Sequence, residues 1–129
     1  MQAQKQHVIV LDDDPQVLKG LVLLLEDMQF SVIAASNSHQ LADAALDPAH
    51  CPALLVLPFE LDDNTSGIDL VNRLRTGFQQ HIPAILLSHK NGLSPDRFVN
   101  EEIVVLADHT TPRELRRTIS TLVKNDMVV

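Results

Sequence analysis

Five short apolar runs punctuate the chain: Val8-Ile9-Val10-Leu11, Phe30-Ser31-Val32-Ile33-Ala34-Ala35, Ala53-Leu54-Leu55-Val56-Leu57, Ile82-Pro83-Ala84-Ile85-Leu86-Leu87 and Ile103-Val104-Val105-Leu106. They lack regular polar alternation, which suits strands buried on both faces of a helix-covered parallel sheet. Between them, apolar residues return at helical spacing. From Pro15 to about residue 28 they fall at Val17, Leu18, Leu21, Val22, Leu24 and Leu25, one wide apolar face. Ser38 caps a short second helix carrying Leu41, Ala42, Ala45 and Leu46, which ends before Pro48. A third helix runs from about residue 68 to 76 with Ile68, Leu70, Val71 and Leu74 inward and Gly77 marking its end. Ser94-Pro95-Asp96 opens a short helix. Thr111-Pro112-Arg113-Glu114 is a capping box that starts the last one, whose Leu115, Ile119, Leu122 and Val123 face the sheet. The third strand is expected to stop at Pro58.

This order predicts the α/β class: a single doubly wound (βα)5 domain over residues 1–129, with its core at about 7–124. The five-stranded parallel sheet carries helices on both faces. Ligands of such sheets bind at the carboxyl edge of the strands. There the first strand runs into Asp12-Asp13-Asp14 and Pro15. Pro15 suits a first helical turn and Asp14 suits its N-cap, so the acids sit where a buried strand ends and a helix begins. Like charges so crowded repel one another unless a cation or hydrogen bonds compensate them.

Composition narrows the function classes. Apolar content of 45% and charged content of 21% over 129 residues describe a globular chain. Ten basic against seventeen acidic residues give −7, which argues against nucleic-acid binding through a basic surface. The single Cys51 allows no intramolecular disulfide, and His39, His50 and His81 have no metal-ligand spacing. The start MQAQKQH is polar without an apolar signal core, and no run reaches membrane-spanning length. These features predict a soluble, cytoplasmic chain with no membrane partner.

Four blocks in order resemble the receiver domain of two-component response regulators: Ile9-Val10-Leu11-Asp12-Asp13-Asp14-Pro15, the loop Leu61-Asp62-Asp63-Asn64-Thr65-Ser66-Gly67-Ile68-Asp69-Leu70, Ile82-Pro83-Ala84-Ile85-Leu86-Leu87-Ser88, and Pro112-Arg113-Glu114-Leu115. The loop block is most like that of receivers attached to hybrid sensor kinases. The resemblance implies a flavodoxin-like signalling domain in which an aspartate ending the third strand accepts a phosphoryl group from a kinase histidine. An acid pair after the first strand holds Mg2+, a hydroxyl follows the fourth strand and a lysine follows the fifth. The carboxylate is the nucleophile, the metal neutralises phosphate charge, and the hydroxyl and ammonium stabilise the transferred oxygens. Asp12 and Asp13 match the acid pair and Ser88 matches the hydroxyl.

Two positions depart from the pattern. The acceptor position is Pro58, which has no nucleophile, and the lysine position is Asp108, followed by His109 in place of the usual proline. A milder departure puts Val105 where an aromatic is expected. The expectation is therefore a degenerate, phosphorylation-independent receiver that acts as a protein–protein interaction module and is not an enzyme. Its pocket of Asp12, Asp13 and Asp108 needs no cofactor and binds Mg2+ or Ca2+ only weakly, through the two aspartates and the Glu60 backbone carbonyl. A Glu60 carboxylate held near the pocket would mimic part of a phosphoryl charge. Lys90 and His89 after the fourth strand are an alternative source of positive charge there. His109, Arg113, Arg116 and Arg117 read as a solvated helix face. The partner is a sensor kinase or an output domain or effector, docking on the last helix with the fourth and fifth strands, a surface that could also form a homodimer. Two alternatives stand beside this reading. One is a functional acceptor using Glu60, Asp62 or Asp63. The other is a flavodoxin-like ligand-binding domain, which three aspartates in the first turn disfavour because they repel phosphate.

Overall fold

The computed structural model describes residues 6–37, 51–60, 66–88, 102–107 and 110–123. Strand β1 (His7–Leu11) leads into helix α1 (Pro15–Asp27) and strand β2 (Ser31–Ala35). Strand β3 (Leu54–Pro58) precedes helix α2 (Gly67–Phe78), strand β4 (Ala84–Ser88), strand β5 (Ile103–Ala107) and helix α3 (Pro112–Val123). All strand pairs are parallel, in the spatial order β2-β1-β3-β4-β5. The doubly wound α/β sheet expected from the apolar runs is the one observed. The expected helices around Leu41 and Ser94 lie outside the described residues.

The sheet has apolar faces on both sides because its central strands are apolar at every position except the ends His7 of β1 and Ser88 of β4. Val8, Val10, Leu54, Val56, Ile85 and Leu87 pack with Leu21 and Leu25 of α1 and with Leu115, Ile119 and Val123 of α3. Ile9, Leu11, Leu55, Leu57 and Leu86 pack with Leu70, Val71, Leu74 and Phe78 of α2. The side-chain period of two sends alternate residues to opposite layers. Each fully buried aliphatic side chain contributes about 1.5–3 kcal/mol relative to exposure. Edge strand β2 is less buried, with Ala34 exposed.

Two element ends differ from the sequence reading. Helix α2 runs through Gly77 to Phe78 and is closed by Gln79 in the left-handed region at φ 55°. Phe78 is buried in the core, and anchoring it holds the last turn helical past the glycine. The second difference is Pro58, which is the final residue of β3 and pairs with Leu87. Leu55 and Phe59 donate their backbone N–H groups to β4, at Pro83 O (3.0 Å) and Leu87 O (2.8 Å). By strand alternation, the N–H that Pro58 lacks would face β1. The β1–β3 pairing ends at Val10 and Val56, so Pro58 falls past the last paired position of that ladder.

Candidate functional site

The site is an edge before it is a pocket. Asp12 follows β1, Pro58 ends β3 and Ser88 ends β4, and these strands are neighbours in the sheet. Strands spaced about 4.8 Å apart bring the three positions together on the carboxyl edge. The chain order reverses between β1 and β3, which is where ligands bind in open α/β sheets.

The three aspartates have separate roles. Asp12 is only 5% exposed. Its backbone N–H donates to Ala35 O at 3.2 Å, and its Oδ1 accepts from the Asp14 N–H at 2.9 Å. Asp14 caps α1, as its place before Pro15 predicts, and its Oδ1 accepts from the N–H groups of Gln16 (2.9 Å) and Val17 (3.5 Å). Asp13 between them is exposed. The crowded acids are thus relieved by division: one carboxylate is buried on a backbone donor, one is in water and one is on a helix terminus, where the dipole favours negative charge.

On the neighbouring strand, Pro58 is buried and Phe59 turns the chain out of the sheet. The loop returns at once. The Gly67 N–H donates to Phe59 O at 2.8 Å, and Glu60 forms an isolated antiparallel bridge with Ser66. Ser66 then caps α2, its Oγ accepting from the Asp69 N–H at 3.1 Å. The Glu60 Oε2 is withdrawn from water. Ser88 is 2% exposed and pairs in register with Ala107. Val105, two residues earlier in β5, is buried against the α2 layer. Asp108, His109, Asp62, Asp63, Lys90 and His89 lie outside the described residues, so the edge is described through Asp12, Asp13, Pro58, Glu60 and Ser88.

As a metal site this set is thin. Asp12 already spends Oδ1 on a backbone donor, and no group of three acidic, imidazole or thiol side chains converges among the described residues. Mg2+ takes near-octahedral oxygen coordination, and the described side chains do not build it by themselves.

Other singled-out residues sit elsewhere. His81 is before β4 at the opposite edge, 3.5 Å from Glu102. Cys51 shares that edge, and burial pushes its thiol above the ordinary value. Arg113, Arg116 and Arg117 are exposed on α3, and Arg116 meets Asp27 of α1 at 2.6 Å. The sequence reading passed over a groove between α1 and α3 that includes Leu23 and Gly20. The available signal was the unbroken run from Leu21 to Leu25, one residue too wide for a single buried face.

A doubly wound five-stranded sheet with buried acid and hydroxyl groups at its carboxyl edge is the architecture of a phosphorelay receiver. The profile of the response regulator receiver domain matches residues 8–120, and the chain belongs to that family of two-component signalling domains. Among curated proteins it is 36% identical over 87 residues to the transcriptional regulatory protein KdpE of Mycobacterium tuberculosis, covering 67% of this chain and 36% of that one. It is 26% identical over 96 residues to the phyllosphere-induced regulator PhyR of Methylorubrum extorquens, covering 74% and 34%. The chain therefore spans about a third of these relatives' length. Among solved structures, a CheY-like receiver domain protein from Methanospirillum hungatei superposes with a TM-score of 0.77 at 17% identity, covering 96% of this chain and 98% of that one. A receiver domain protein from Clostridium thermocellum gives 0.76 at 18%, covering 95% and 97%. Likeness at this identity speaks for the fold.

Proposed function

We propose that this receiver domain signals without accepting a phosphoryl group, as a protein-interaction module in the cytoplasm rather than an enzyme. The observation that carries the reading is Pro58, buried as the last residue of β3 at the edge that Asp12 and Ser88 share. Phosphoryl transfer needs a nucleophilic oxygen there, and a pyrrolidine ring has none. The substitution of Asp108 for the family's lysine removes the ammonium that would steady the transferred oxygens. Mg2+ is not required on this reading and binds weakly, through Asp12, Asp13 and the Glu60 carbonyl. One oxygen of the half-buried Glu60 carboxylate, two residues past the end of β3, is withdrawn from water, and on this reading that side chain stands in for part of what a phosphoryl group would bring. Partners are a sensor kinase or an output domain or effector, docking on α3 with β4 and β5. At a net charge of −7, nucleic acid is not among them.

Acetyl phosphate with Mg2+, followed by intact-mass measurement, tests this on the wild type beside the Pro58→Asp, Asp108→Lys double variant. The expected result is a phosphoryl adduct on the double variant and none on the wild type. An adduct on the wild type overturns the reading, and its position at Glu60, Asp62 or Asp63 would establish the alternative acceptor.

A further inference from the structure

We draw no further inference here: the strongest candidate, the apolar groove between α1 and α3 that Leu23 and Gly20 border, carries nothing because nothing in the structure shows what covers it.

Discussion

Gly67 stands so close to Pro58 that a Cβ on the glycine would overlap the proline's carbonyl oxygen, far inside any real contact. The same Cβ would also press on the Leu86 side chain at 3.1 Å. The start of α2 is therefore packed directly on the end of β3, with no room for a side chain at position 67. Gly67→Ala should lower stability by about 1–3 kcal/mol, the range for overpacking a tight site. Urea denaturation followed by circular dichroism measures this. A loss below a few tenths would mean that the backbone shifts freely.

Returning an acid to position 58 should make the domain sense cations. Pro58→Asp places a carboxylate on the edge that holds buried Asp12, and like charges crowded there destabilise one another. The variant should melt below the wild type in a chelator and recover when Mg2+ is added. The wild-type melting temperature should change little with Mg2+. Thermal melts of both proteins with and without the ion decide this, and equal responses would remove the link between Pro58 and the acid pocket.

The N-cap of α1 is a smaller and separable effect. Asp14→Ala removes the acceptor for the Gln16 and Val17 N–H groups. The expected loss is about 1 kcal/mol, and Asp14→Ser or Asp14→Asn should restore most of it. Denaturant midpoints with an unchanged m-value would assign the effect to the native helix end.

Cys51 should be a slow thiol. Burial raises its pKa, so at neutral pH less thiolate is present than on a free cysteine, and alkylation by iodoacetamide should lag a model thiol. The same shift bears on stability. The folded state holds the proton to higher pH than the unfolded chain does. Its contribution is thus complete below the ordinary thiol pKa and is lost as pH rises above it. Cys51→Ser should flatten that alkaline decline, which melts across the alkaline range would show.

The five strands, the helical faces of α1, α2 and α3, and the Asp14 cap were determined by the sequence itself, because each depends on residue type and spacing within a few positions. Apolar runs without alternation predict a sheet covered on both sides, and the two packed layers bear that out. The chemical character of the edge was also legible, since Asp12, Asp13, Pro58 and Ser88 each follow or end an apolar run. Tertiary structure alone decided which aspartate is buried, because Asp12 is covered only once β1 lies between β2 and β3. It also decided that Pro58 completes β3 instead of stopping it, since the pairing at that position is made with β4, at Leu87, and not with β1. Leu23 and Gly20 follow the same logic. Their spacing is local, but their exposure was set when α1 and α3 packed on one face of the sheet and left a groove between them.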